Sequence, residues 1–133
     1  MNKSDSERIA SILEKKRYKP TEKIETADLI VVNMCSVRQS AVNRVYGLIE
    51  KFKKSKKKKK TILTGCILKK DGVNFAKNFD KVLKFNDLSK LKPKRQGNSI
   101  AYIPISNGCN NACTYCAVPY TRGKLICRSH KEI

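Results

Sequence analysis

The chain has 133 residues, room for one ordinary domain, and with no tryptophan and 7% aromatic residues any core must rest on Leu, Ile and Val. Thirty Lys and Arg against eleven Asp and Glu give a formal charge of +19, which favours a polyanionic partner such as RNA. Charged residues come within the first turn after Met1 and no run nears the roughly eighteen apolar residues of a membrane span, so signal-peptide and membrane-spanning readings are set aside and a cytoplasmic location is expected.

In chain order, Ser4-Asp5-Ser6-Glu7 has the form of a capping box, and Ile9, Ala10, Ile12 and Leu13 then give one apolar face, predicting a helix over 5–17. Asp28-Leu-Ile-Val-Val-Asn33 is a short β-branched run of the kind buried on both faces of a parallel sheet. Ala41, Val45, Leu48, Ile49 and Phe52 fall at helical spacing, and the helix they predict ends in a lysine run from Lys53 to Lys60. Such a run is ordinarily a solvated loop, and its alternative is a nonspecific contribution to RNA binding. Further elements are predicted as a strand over Thr61–Thr64, a weaker helix through Val73–Lys77, a strand over Lys81–Phe85 and a turn of helix at Asp87–Leu91. Strands alternating with helices imply right-handed βαβ units in an open α/β sheet. Lys92-Pro-Lys-Arg-Gln-Gly-Asn98 reads as a linker, which divides the chain into 1–91, 92–98 and 99–133. Beyond it, Ile100, Tyr102, Ile103 and Ile105 give a strand-like alternation.

Six cysteines in a reducing compartment read as metal ligands and spares rather than disulfides. Cys109, Cys113 and Cys116 have C-x3-C-x2-C spacing, and thiolates packed so closely select zinc or an iron–sulfur cluster. A structural zinc takes four protein ligands, whereas three cysteines on a four-iron cluster leave one iron open, and the local count here is three. Tyr115 stands where it could wall off a ligand on that iron, while a zinc knuckle completed by Cys127 or His130 is the competing arrangement. Cys35 and Cys66 each follow a predicted strand, at the edge where open α/β sheets bind ligands, and each precedes a helix. Ligation and simple packing as small hydrophobes are both open for them.

The string Gly108-Cys-Asn-Asn-Ala-Cys-Thr-Tyr-Cys-Ala-Val-Pro-Tyr-Thr-Arg-Gly123 resembles the radical S-adenosylmethionine methylthiotransferases that modify tRNA. The resemblance implies an N-terminal methylthiotransferase domain with an open parallel sheet, then the first strand and cluster loop of a partial TIM barrel. It assigns Cys109, Cys113 and Cys116 to a 4Fe–4S cluster whose open iron chelates S-adenosylmethionine beside Tyr115. Reductive cleavage would give a 5′-deoxyadenosyl radical that takes a hydrogen from carbon 2 of an N6-modified adenosine next to the anticodon, before sulfur insertion and methylation. Asn33-Met-Cys35-Ser-Val-Arg38 and Thr64-Gly-Cys66 resemble two of the three ligands of an auxiliary 4Fe–4S cluster.

Asn2, Asp5, Ser6 and Glu7 resemble the residues just after the third of those ligands, so the resemblance also implies a fragment that lacks its first strand, that ligand and most of the barrel, and is inactive alone. Cys127 then reads as a spare thiol and His130 as solvated. Asn33 to Arg38 is closer to the isopentenyladenosine branch than to the threonylcarbamoyladenosine branch, and a third branch modifies a ribosomal protein. Implied partners are the tRNA anticodon stem-loop and an electron donor such as flavodoxin or ferredoxin, for a monomeric enzyme. The rival of another class is a non-catalytic zinc- or RNA-binding module.

Overall fold

The β-branched run after Asp28 forms strand β1, Leu29–Cys35, which pairs in parallel with β2, Lys60–Cys66. The computed structural model describes residues 2–54, 59–84, 91–94 and 100–133. A third parallel strand, β3, Lys81–Val82, lies on the other side of β2, giving the order β1-β2-β3. The connections are helices, α2 at Gln39–Lys53 and α3 at Lys69–Ala76, as strand–helix alternation requires of parallel neighbours. The chain divides into two compact units, Thr21–Lys84, which holds this sheet, and a second formed by Met1–Pro20 with Phe85–Ile133.

Register places Val32, Leu63 and Val82 side by side across the three strands. With Met34 they line the face on which α2 lays Val42, Val45 and Ile49 and α3 lays Phe75. Leu63 and Phe75 are fully buried, and Phe75 packs between the rings of Tyr46 and Phe79 at centroid distances of 4.8 and 6.4 Å. The start of β2 is held by Asp80, whose Oδ2 accepts from the Thr61 amide at 2.7 Å and the Thr61 hydroxyl at 2.8 Å.

Several local expectations are corrected. The first helix, α1, runs Asn2–Lys15, so Ser4 lies inside it rather than capping it. The Ser4 hydroxyl is buried and committed elsewhere, donating to the Tyr102 carbonyl at 3.2 Å and accepting from Arg8 Nη1. Burial, and then the nearby Arg128, hold the Arg8 guanidinium below its ordinary pKa. Residues 29–33 of β1 are half-buried, not buried on both faces, because β1 is an outer strand and β2 takes the shielded central position. β3 ends at Val82 instead of Phe85, although Leu83 still donates its amide to the Leu63 carbonyl at 2.8 Å. The helix expected at 73–77 starts earlier, at Lys69, behind a polar first turn that hides its periodicity. Ile100, Tyr102, Ile103 and Ile105 are exposed and outside any ladder, and pairing begins only at Ser106. A strand needs a neighbour, and alternation alone supplies none. The expected helical turn at 87–91, most of the linker 92–98 and Lys56 to Lys58 fall largely or wholly outside the described residues.

Candidate metal centre

The three clustered cysteines sit on a loop closed at its base by a short antiparallel ladder, β4 at Ser106–Asn107 against β5 at Ile126–Cys127. Two glycines make that closure possible. Gly108 has φ +79°, and a Cβ there would lie 2.1 Å from the Lys124 carbonyl oxygen, so only glycine lets the two ends of the loop approach. Gly123, at φ +80°, ends α4, Val118–Arg122, and its carbonyl accepts from the Cys109 amide at 3.1 Å. Asn110 Oδ1 accepts from the Leu125 amide at 2.9 Å, a second tie across the base.

Within the loop, Cys113 is exposed, Cys109 and Cys116 are half-buried, and the Cys116 amide donates to the Cys113 carbonyl at 3.1 Å. A cleft of about 540 Å³ is lined by Cys109 and Cys113 together with Asn111, Pro119, Tyr120 and Lys124. Tyr115 is 90% exposed and stands outside that lining, where Tyr120 supplies the aromatic wall. None of the six cysteines forms a disulfide, which leaves thiols for a soft metal. The donor chemistry and the cleft fit an iron–sulfur group. Among the described residues, no three Cys, His, Asp or Glu side chains are yet gathered about one point, so the loop must close further on any metal it holds.

Cys35 and Cys66 are brought together by the sheet. They are direct register partners at the carboxyl ends of β1 and β2, and strand alternation sets both on the face opposite Met34 and Leu63. Gly65 permits this pairing, because at φ +112° its Cβ would lie 2.2 Å from the Met34 carbonyl oxygen. The ladder ends at this pair, and just beyond it the Ser36 amide donates to the Cys66 carbonyl at 2.8 Å and the Leu68 amide to Ser36 Oγ at 3.1 Å. Cys127 is exposed in β5, and His130 is exposed in the short helical turn His130–Glu132 capped by Ser129.

Two features were not visible as pattern. Lys59, nominally part of the solvated run, is buried, and its ammonium donates to the carbonyls of Glu25 at 2.8 Å and Ala27 at 3.3 Å. Arg122, at the end of α4, reaches Asn107 as well as Asn2 and Asp5 of α1. Its place in the cysteine string was the available signal, but nothing in residue spacing names partners more than a hundred positions away.

Residues 1–85 match the family described as Uncharacterized protein family UPF0004. Three similar curated relatives carry the name tRNA-2-methylthio-N(6)-dimethylallyladenosine synthase. That of Dictyoglomus thermophilum is 38% identical over 167 residues, covering the whole of this chain and 38% of the relative. Those of Clostridium botulinum (strain Hall) and Thermoanaerobacter sp. (strain X514) are 34% and 32% identical, again across the whole chain and 38% and 36% of the relatives. The chain thus spans well under half the length of the curated relatives it matches.

Proposed function

Because the chain belongs to the UPF0004 family, and its relatives are named as synthases of one modified tRNA nucleoside, we propose that it is part of a tRNA methylthiotransferase acting on N6-isopentenyladenosine beside the anticodon. The observation that carries this reading is the three-thiol loop between Gly108 and Gly123, closed at its base and opening on a cleft. Cys109, Cys113 and Cys116 would hold a 4Fe–4S cluster, and Tyr115 and Tyr120 would flank the S-adenosylmethionine it binds. Cys35 and Cys66 would supply two ligands of an auxiliary cluster. When bound, the first cluster supplies the electron that reductive cleavage of S-adenosylmethionine requires. The chain's own part is to set the thiols, to hold the loop against the strand pair and to keep water from the cleft.

On this reading residues 1–91 belong to the methylthiotransferase domain, 92–98 link it to the radical domain, and 99–133 begin that domain's barrel. The partners are the tRNA anticodon stem-loop, favoured by the +19 charge, and a low-potential electron donor, in the cytoplasm. Anaerobic reconstitution with iron and sulfide tests the site. The expected result is broad visible absorption with about four irons per three-thiol loop, lost in Cys109→Ala, Cys113→Ala or Cys116→Ala and kept in Cys127→Ser. A colourless protein that retains zinc instead would refute the cluster assignment. Loss of iron in Cys127→Ser would point to a four-cysteine site.

A further inference from the structure

Backbone bonds close the cysteine loop on itself, but one side chain ties it to a different element of its unit. The Arg122 guanidinium donates from Nη1 to Asn107 Oδ1 at 3.1 Å, and from Nη2 to Asp5 Oδ2 at 2.6 Å and Asn2 Oδ1 at 3.0 Å. Asn107 lies at the entry of the loop, Arg122 near its exit, and Asn2 and Asp5 in the first turn of α1. The Arg122 and Asp5 side chains are only 12% and 16% exposed, so the pair is largely shielded from water. A shielded pair of this kind is costly to break one partner at a time, because the other charge is left without compensation. Lysine could keep the charge but not a planar fork that serves three acceptors.

We propose that Arg122 is a positioning residue. Through Asp5 it fixes the three-thiol loop against α1, and the thiols of Cys109, Cys113 and Cys116 converge on one soft metal only while that tie is intact. This rests on the reading of the loop as a metal site. It deepens that reading by joining two stretches far apart in the chain, the helix that begins with Asn2 and the cysteine string that ends with Gly123.

The test uses the full 133-residue chain under reducing, anaerobic conditions, with cadmium as the thiophilic probe. Alkylation of each cysteine is followed by peptide mass spectrometry as cadmium is added. In the natural chain, Cys109, Cys113 and Cys116 should become protected together at one cadmium concentration. Arg122→Gln and Asp5→Asn should each raise that midpoint about tenfold, at the low end of what loss of an outer partner costs a metal site. Protection of Cys35 and Cys66 should not move. Arg122→Lys should fall between, and the exchanged pair Asp5→Arg with Arg122→Asp should recover most of the affinity, which a general loss of folding would not allow.

An unchanged midpoint in Arg122→Gln overturns the proposal while leaving the metal-site reading standing. Failure of cadmium to protect the three thiols of the natural chain overturns both. Should Arg122→Gln not fold, Asp5→Asn, which keeps the shape of the side chain, decides the matter in the same way.

Discussion

Replacing Gly65 with alanine should splay the sheet at the edge that carries Cys35 and Cys66. Two costs combine at this position. Holding a non-glycine residue at φ +112° costs about 1–3 kcal/mol. The new methyl would stand 2.2 Å from the Met34 carbonyl, 2.5 Å from Asn33 Oδ1 and 2.9 Å from the Met34 amide nitrogen, so β1 must move. Such overpacking adds roughly 1–3 kcal/mol. The expected loss is therefore about 2–6 kcal/mol, which for a unit the size of Thr21–Lys84 lowers the melting temperature by at least about 8 °C.

Gly47 provides a control of opposite sign. It lies within α2 with nothing within 4 Å of an added Cβ, so Gly47→Ala should stabilise by about 0.5–1 kcal/mol. Thermal melts by circular dichroism on the two variants and the parent measure both. A Gly65→Ala protein that melts within two or so degrees of the parent would refute the close strand approach at Met34.

Other changes test the remaining features. Gly108→Ala, whose Cβ would meet the Lys124 carbonyl, should open the base of the cysteine loop, and hydrogen exchange at the Cys109 amide should accelerate while that in β2 stays unchanged. Phe75→Ala should cost about 3–5 kcal/mol by urea denaturation, since a fully buried ring between Tyr46 and Phe79 leaves a cavity the helices cannot fill. Lys59→Ala should cost about 1–3 kcal/mol in urea denaturation by leaving two carbonyls short of a donor. On the proposed tRNA-binding reading, Lys60→Ser at the exposed neighbour should flatten the salt dependence of tRNA binding without a comparable loss of stability, and an unchanged slope would mark Lys60 as merely solvated.

What could be read from residues alone followed from short-range physics. The run Leu29–Val32 announced a strand because β-branched side chains suit a pleated, buried surface, and the helix of α2 followed from Val45, Leu48 and Ile49 at helical spacing. The cysteine string was legible because thiols at fixed separations restrict the chemistry more than any propensity does. Reading failed where a distant partner decides the outcome. Ser4 looks like a cap until Tyr102 and Arg8 claim its hydroxyl, and Ile100 to Ile105 look like a strand until the ladder proves to start at Ser106. Lys59 looks like its solvated neighbours until the carbonyls of Glu25 and Ala27 take its ammonium. Arg8 apart, one helical turn from Ser4, the deciding groups lie outside any local window.

The register of β1 against β2 has a consequence for how Cys35 and Cys66 meet any ion. They are the last pair of the ladder, and their α-carbons are set at strand spacing, roughly 4.8 Å, by the pairing that precedes them and by the Ser36 amide on the Cys66 carbonyl. Each sulfur is then left the rotation about its own Cα–Cβ bond to set its distance from the other. The backbone's freedom to part them was surrendered when the sheet formed, so an ion that bound both would have only two side-chain rotamers to select. A group too large for that span would have to part the strands at their open end, where no further strand pairing lies beyond the two cysteines.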